Sequence, residues 1–413
     1  MPWRETCAVD QRILFVRDVL CGEASKSELC RRYGISRPTG DKWLERFAEH
    51  GLAGMEDVSS ARHCHANQVA EELAEMLMAL RRRHMTWGPR KLLAYLERRY
   101  EGVKWPAAST IGELLRRHGM AVGRIRKHRT PAYTQPFGSC QEANALWCAD
   151  FKGWFRTGDG SRCHPLTITD GLSRYLLRCQ GMERAYTAPT RTIFESAFRE
   201  YGLPVAIRTD NGAPFASKAV GGLSRLAVWW LRLGIVPERI EPGQPQQNGR
   251  HERMHLTLKQ ETTHPPRPTM RGQQRLFDEF RQEYNEERPH EALNQRTPAD
   301  VYHSSPRSYP SRLTEPEYGD NVVVRFVRHS GEIKWQGQRM YLGEVLAGEN
   351  VGMEPLSDGY WLVYFCKMPL GVLDDRRRKV WNVATAIRKG WVTADALPSP
   401  FRCAPGTGQS VEV

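Results

Sequence analysis

The chain has no apolar run approaching the ~18 residues of a membrane-spanning helix, which excludes an integral helical membrane protein. Its ten cysteines include no CxxC pair. That speaks against a disulfide framework or a paired-cysteine zinc site, and for reduced cytoplasmic thiols. The one tight His/Cys cluster, His63-Cys64-His65, lacks a spaced second pair to complete a zinc site. The first residues, Met1-Pro2-Trp3-Arg4-Glu5-Thr6, carry charge early and no apolar signal core. Acidic residues are in deficit as well, 47 against 60 Lys and Arg, giving a formal net charge of +13 on 413 residues. Such an excess favours a polyanionic partner, either nucleic acid or an acidic membrane surface.

What is present begins with helices. Val9, Ile13, Val16, Val19 and Leu20 recur at helical spacing over Ala8 to Leu20. A short helix fits Lys26 to Tyr33 and ends at Gly34, and Ser36 caps a third that runs to about Glu49 with Pro38 in its first turn. Helix, short glycine turn, helix is a helix-turn-helix arrangement over residues 1–55, with Arg37, Thr39 and Lys42 facing DNA and Trp43, Leu44 and Phe47 packing. Charge does not decide this, because residues 1–50 hold nine Lys/Arg against eight Asp/Glu. Gly54 to Ala66 reads as a polar linker. A second helical unit follows over residues 67–122, with an apolar stripe of Val69, Leu73, Met76, Leu77 and Leu80 and further helices at Arg90 to Tyr100 and Ser109 to His118. From Leu114 to Gln141 there is no acidic residue but six basic ones, Arg116, Arg117, Arg124, Arg126, Lys127 and Arg129. Residues 123–142 therefore read as a basic linker that tracks phosphates and whose binding falls steeply with salt.

Three carboxylates then stand where a carboxylate needs a reason. Trp147-Cys148-Ala149-Asp150-Phe151 puts an acid inside an aromatic-rich strand predicted over Leu146 to Arg156, which costs free energy unless the acid is paired or binds a cation. Asp210 closes the run Val205-Ala206-Ile207 and precedes an Asn211-Gly212 turn, as at a strand tip. Glu252 lies in the first turns of a helix that Asn248 is placed to cap. Brought together, the three could not all stay ionised without positive charge among them. The pattern points to a divalent-metal site of the Mg²⁺ or Mn²⁺ type, which carboxylates and retained waters suit. Asp170, ending Thr167-Ile168-Thr169, rivals Asp150 for the first position but is placed in a turn. Each acid also has a bland reading: Asp150 pairing with Lys152, Asp210 serving its own turn, and Glu252 pairing with a neighbouring arginine.

The blocks Trp147-x-x-Asp150, Thr209-Asp210-Asn211-Gly212-x-x-Phe215 and Asn248-Gly249-x-x-Glu252-Arg253 resemble those of the DDE transposases of bacterial insertion sequences, whose catalytic core is similar to retroviral integrase. The likeness covers roughly Ala143 to Tyr302 and, more loosely, the N-terminal part. One departure is the 41 residues lying between Asp210 and Glu252 (positions 211 to 251), more than is usual there; the Gly221-Gly222 connector takes up the extra length. Trp87-Gly88-Pro89-Arg90-Lys91-Leu92 is similar to the turn that opens a second, winged helix-turn-helix in many of these proteins. Tyr284-Asn285-x-x-Arg288-Pro289-His290 and Thr297-Pro298-Ala299 resemble the closing signature. The resemblance implies a multidomain α/β chain: N-terminal helix-turn-helix units, a ribonuclease-H-like core at 143–303, and a small C-terminal β-barrel at 318–385. In such a core the strands ending near Asp150 and Asp210 lie side by side. Strands for the barrel fit Val322 to Val327, Gly331 to Trp335, Gln338 to Leu342 and Trp361 to Phe365, followed by the basic cluster Arg376 to Lys379.

The implied activity is metal-dependent DNA cleavage and strand transfer at the inverted-repeat ends of an insertion sequence. Activation of the attacking oxygen and stabilisation of the leaving 3′ oxygen would fall to two Mg²⁺ ions (Mn²⁺ as the alternative) about 4 Å apart. Asp150 would be shared by both ions, with Asp210 on one and Glu252 on the other. Arg250, Arg253 and Lys259 are expected on the phosphates. The segment Pro242 to Pro245 is expected to be a flexible approach that lets Glu252 move in only with DNA and metal present. Implied partners are double-stranded DNA, as terminal inverted repeats and target, and further copies of the chain as a dimer or larger, because two element ends must be held. The setting is the bacterial cytoplasm at the nucleoid, with no membrane. Two other classes stay open: a sequence-specific DNA-binding regulator with an inert core, and a structure-specific nuclease. Metal-dependent cleavage separates both enzymes from the regulator, and strand joining separates the transposase from the nuclease.

Overall fold

A computed structural model of the protein describes residues 7–57, 69–121, 140–217, 219–240, 249–357 and 359–393. The chain divides into two compact units, Met1–Ala70 and Glu71–Val413. Among the described residues no helix is long and apolar enough to cross a membrane.

The first unit holds α1 (Ala8–Leu20), α2 (Lys26–Arg32) and α3 (Arg37–His50). Ser25 and Ser36 start the second and third helices, their side chains accepting from the Glu28 and Thr39 N–H groups. Phe15, Val16, Leu29, Cys30 and Trp43 form the small core. Gly40 is required by this packing, since a Cβ there would lie 2.8 Å from Cys30 Sγ. Trp43 also carries the Arg12 and Arg46 guanidinium groups over its ring, at 4.0 and 4.8 Å.

The second unit opens with α4 (Glu71–Arg83), α5 (Pro89–Arg99) and α6 (Ala108–Arg117) around Leu77, Trp87, Leu92, Leu96 and Ile111. No strand accompanies these helices among the described residues, so the wing that the resemblance implied is not seen.

The core that follows contains β1 (Leu146–Phe151), β2 (Phe155–Arg156), β3 (Arg162–Asp170), β4 (Leu176–Met182), α7 (Thr187–Tyr201), β5 (Ala206–Thr209), α8 (Arg225–Arg232), β6 (Val236–Arg239), α9 (Gly249–Thr262) and α10 (Met270–Gln282). The six strands form one sheet in the order β2-β3-β1-β5-β6, with β4 also paired to β3. The strand expected from Leu146 to Arg156 is broken in two. Gly153 turns out of the ladder at φ +85°, and pairing with β3 resumes at Phe155. β1 and β5 run parallel while β3 is antiparallel to both β1 and β4, as a ribonuclease-H-like core requires.

Helices cover both faces of the sheet. On one, α7 and α8 bury Phe194, Phe198 and Trp230 against Trp147, Ile168 and Leu177. On the other, α9 and α10 bury Met254, Leu258 and Phe277 against Cys163, Leu176 and Cys179. Leu226 to Leu231 of α8 are all buried because a second core packs on its other side: Ala227, Val228 and Leu231 meet Val327, Val351 and Phe365. A helix apolar all round needs such a double covering.

α10 continues as one wide turn, Glu283–Glu287, which carries the closing signature. Buried Asn285 completes the sheet edge: its side chain accepts from Leu176 N–H (2.8 Å) and donates to Leu176 C=O (3.0 Å). The same region holds the helices of Glu71–Arg117. Arg288 donates to Glu261 (2.8 Å) and Thr86 Oγ1 (3.3 Å), His84 Nδ1 meets Glu283 (2.8 Å), and Arg98 grips Asp300 (2.7 and 3.0 Å).

The C-terminal part corrects an expectation. β7 (Val323–Phe326), β8 (Glu332–Trp335), β9 (Gln338–Tyr341), β10 (Asn350–Ser357), β11 (Tyr360–Phe365), β12 (Met368–Asp374) and β13 (Lys379–Trp381) form two sheets, after which α11 (Val383–Arg388) follows. One is five-stranded, in the order β13-β12-β11-β10-β7; the other is the hairpin β8-β9. The ends β13 and β7 do not pair, so among the described residues the sheet is open and no barrel closes.

Candidate active site

Ala149 of β1 is register partner to Thr209 of β5 in a parallel pair. Asp150 is therefore the next residue along β1 and Asp210 the first beyond β5, on neighbouring chains whose paired backbones run about 4.8 Å apart. The two acids expected to meet do meet. Phe215, from the Asp210 block, lies buried against Phe151 (ring centroids 5.6 Å apart) and so ties the loop after β5 to the end of β1. Glu252 stands exposed in the first turn of α9.

The electrostatics record this convergence. Burial pushes the Asp150 carboxyl up to about 7; negative charge on Asp210 adds to that, and Glu252 contributes in the same direction, while Phe151 N–H and Lys152 oppose it. The Asp210 carboxyl is also raised, by burial, against the pull of the Gly212 N–H donated to its Oδ1 at 3.2 Å. That bond is the bland turn role foreseen for Asp210, and it occupies one oxygen only. Gly212 is tightly placed, because a Cβ there would lie 3.0 Å from Asp210 Oδ2 and the carboxylate would have to shift by a few tenths of an ångström. Neither Asp150 nor Glu252 makes an ion pair with a lysine or arginine among the described residues.

Asp170 is no rival. It ends β3 rather than lying in a turn, and its two oxygens accept from Asn144 N–H (2.7 Å), Ser173 N–H (2.8 Å) and Ser173 O–H (2.6 Å).

Two functional candidates escaped the sequence reading. His251 and His255 are buried on the face of α9 turned to the sheet, at 2% and 4% exposure. Burial pushes their imidazoles down, to about 3 and about 2, so both are neutral. Thr167 Oγ1 lies 2.7 Å from Nε2 of each and 3.2 Å from the Asp150 carbonyl; His251 Nδ1 lies 3.0 Å from Thr169 Oγ1. His255 Nδ1 faces Asp150 Oδ2 at 3.8 Å. The signal available in the sequence was their i, i+4 spacing on the stripe that also holds Met254 and Leu258.

The helix that carries Glu252 is packed against the sheet through Met254 and Leu258. The approach at 242–245 lies outside the described residues, as do Asn248, His63 to His65 and the expected DNA contacts Arg124, Arg126 and Lys127. Arg250 belongs to α9, but its side chain is not described. Arg253 and Lys259 are exposed on α9, and Arg37 and Lys42 on α3. Thr39 is committed locally, its hydroxyl 2.8 Å from Ser36 Oγ and its N–H bonded to the same cap.

Comparison with known proteins agrees with this architecture. Two models described as integrase core domain match residues 141–245 and 233–298. A helix-turn-helix domain matches 11–63, a homeodomain-like domain 39–115, and the C-terminal domain of IS481 family transposases 322–381. The chain is 30% identical over 245 residues to the insertion element IS407 uncharacterized 31.7 kDa protein of Burkholderia multivorans, spanning 58% of this chain and 83% of that one. It is 28% identical over 240 residues to the insertion element IS476 uncharacterized 39.2 kDa protein of Xanthomonas euvesicatoria, spanning 55% and 64%. Among solved structures, the HTLV-2 integrase catalytic core domain in complex with magnesium aligns at a TM-score of 0.32 and 16% identity, covering 40% of this chain and 99% of that one. An integrase core of this kind defines a polynucleotidyl transferase of the DDE type. The chain belongs to the transposases of bacterial insertion sequences.

Proposed function

We propose that this transposase cuts and joins DNA at the inverted-repeat ends of its element with Asp150, Asp210 and Glu252 as the reacting centre. The observation that carries the assignment is the placement of Asp150 and Asp210 on neighbouring strand ends, with Asp210 and Glu252 both raising the Asp150 carboxyl. Burying like charges so close is unfavourable unless a cation joins them. A donor set of carboxylates without an arginine or lysine partner among the described residues fits one or two Mg²⁺ or Mn²⁺ ions. When bound, such ions would supply a more nucleophilic oxygen and charge relief at the leaving 3′ oxygen.

The chain's own groups do the rest. Asp150 and Asp210 fix the site to the paired central strands of the sheet, and α9 carries Glu252. Arg253 and Lys259, exposed on the same helix, and Arg250 would hold the phosphate backbone. Arg37 and Lys42 on α3 are placed for groove contact in the N-terminal unit, with Thr39 helping to shape the start of that helix. Arg124, Arg126 and Lys127 supply the basic linker. Water opens the phosphodiester at the element end, and the freed 3′-OH attacks the target, without a covalent protein–DNA intermediate. Holding two ends calls for a dimer or larger, acting on double-stranded DNA at the nucleoid in the cytoplasm.

The test is joining. Labelled DNA carrying the inverted repeats that flank the gene is incubated with a target plasmid and the full chain, with Mg²⁺, with EDTA, and with Asp210→Asn. Joined product that needs Mg²⁺ and disappears in the variant supports the assignment. Cleavage without joining would make this a nuclease, and binding with neither would leave an inert core.

A further inference from the structure

Thr167 is hydrogen-bonded to three groups but has one hydrogen to give. Its partners are the Asp150 carbonyl at 3.2 Å and the Nε2 atoms of His251 and His255, each at 2.7 Å. A carbonyl can only accept. One arrangement satisfies all three contacts: Thr167 O–H donates to the carbonyl, and both imidazoles donate through Nε2–H to the threonine oxygen. His251 is then complete, because its Nδ1 accepts from Thr169 O–H at 3.0 Å, the nearer of the two acceptors that face this hydroxyl, the Cys148 carbonyl being at 3.5 Å. His255 is not. Its Nδ1 carries a lone pair, has no hydrogen-bond partner among the described residues, and faces Asp150 Oδ2 at 3.8 Å.

Two electron-pair donors turned toward each other in a mostly buried place repel unless something positive lies between them. Asp150, His251 and His255 stand together as a cluster able to hold an ion, their ligand atoms within 4.8 Å of one another. The hydrogen-bond assignment narrows that trio. Both nitrogens of His251 are engaged, so it orients Thr167 and Thr169 and does not ligate. The pair that remains is Asp150 Oδ2 and His255 Nδ1. Ligand atoms each about 2.1 Å from one octahedral ion stand about 3.0 Å apart at right angles, so the pair closes by less than about 1 Å to share it.

We propose that His255 Nδ1 is a metal ligand beside Asp150, and that this nitrogen tunes the transposase site toward Mn²⁺ over Mg²⁺. Magnesium takes oxygen ligands almost exclusively, whereas later first-row ions accept imidazole and bind it more tightly in the order of their affinities. Thr167 fixes the His255 tautomer through Nε2, as an outer partner of a ligating histidine does. The inference rests on Asp150 being a metal-binding carboxylate, as assigned above.

The experiment is pulsed electron paramagnetic resonance of Mn²⁺ bound to the full-length protein, prepared with ordinary and with ¹⁵N-labelled histidine. Isothermal titration with MnCl₂ and with MgCl₂ accompanies it, on wild type, His255→Gln and Asp150→Asn. Expected is a histidine-nitrogen modulation that changes frequency on labelling and vanishes in His255→Gln, with Mn²⁺ affinity falling about tenfold or more and Mg²⁺ affinity changing by less than about threefold. The labelled wild type answers the question even if the variant folds poorly. Mn²⁺ bound in an Asp150-dependent way without histidine coupling would overturn the His255 assignment and leave the carboxylate site standing. Coupling that survives in His255→Gln would also overturn it, transferring the ligand role to another histidine. Mn²⁺ binding indifferent to Asp150→Asn would overturn the carboxylate reading and this inference with it.

Discussion

Replacing Asp150 with asparagine is expected to stabilise the metal-free protein while abolishing its chemistry. The Asp150 carboxyl titrates at about 7 in the fold against 3.8 in its ordinary state, because burial, Asp210 and Glu252 disfavour its charged form. A carboxyl raised in this way destabilises the fold as pH rises: below 4 both states hold the proton, between 4 and 7 only the folded chain does, and above 7 the full cost has accrued. Three units at about 1.36 kcal/mol each set a ceiling of about 4 kcal/mol at pH 8. Between pH 5 and pH 8 the advantage of the variant should widen by roughly 3 kcal/mol. Asparagine keeps an acceptor for Phe151 N–H, so little of this is given back. For a cooperative unit the size of the catalytic core the pH 8 ceiling corresponds to a rise in melting temperature of at most about 8–16 °C. The assay is thermal and urea unfolding in EDTA at both pH values, repeated with excess Mg²⁺, where only wild type gains from ion binding and the order narrows or reverses. An asparagine variant no more stable than wild type at pH 8 in EDTA would refute the charge crowding on which the site assignment stands.

Three further substitutions probe the frame around the site. Asn285→Ala leaves Leu176 N–H and C=O unpaired at a buried sheet edge, and urea unfolding should show a loss of about 2–4 kcal/mol. Arg288→Met leaves Glu261, which keeps 22% of its side chain exposed, with the Thr86 hydroxyl but no charged partner there, and should cost about 2–3 kcal/mol, short of a fully buried pair. Hydrogen exchange should quicken in Pro89–Arg99, because Arg288 also reaches Thr86 ahead of that helix. Gly212→Ala forces a methyl to 3.0 Å from Asp210 Oδ2, so joining should fall by about tenfold or more while the melting temperature moves little.

What the sequence disclosed and what it hid divide along physical lines. Ser36 and Pro38 marked the start of α3, and the run into Asp210 marked a strand tip, because caps and strand ends are written in adjacent residues. The meeting of Asp150 and Asp210 came from a resemblance to a known fold, since no local pattern encodes which strands lie side by side. β10 and β12 went unread because Pro355, Pro369 and Gly371 break the alternating pattern of a strand. The structure accommodates them with register shifts at Pro355/Ser357 and Val363/Tyr364, and Gly371 is required where the Trp381 carbonyl would approach a Cβ to 2.5 Å. Barrel closure was expected from the family and depends on pairing between distant strands, about which the intervening residues say nothing. Asp170 looked like a rival because its hydrogen-bond donors, Asn144 and Ser173, belong to turns whose geometry the sequence leaves open.

The histidines of α9 explain why Glu252 sits on a docked helix. The buried stripe of α9 changes character along its length, with His251 and His255 toward the site and Met254 and Leu258 among Cys163, Leu176 and Phe277. An apolar anchor alone would bring the helix against Thr167 and Thr169 with their hydroxyls unmatched, at about 1–3 kcal/mol for each orphaned group. Imidazoles at those two positions satisfy the threonines and carry no charge of their own toward Asp150. The helix so docked brings Glu252 close enough to add to the negative charge felt by Asp150, which raises the energy of the site without a cation. The instability sought with Asp150→Asn and the lone pair left on His255 are two consequences of this one arrangement, a site built for positive charge.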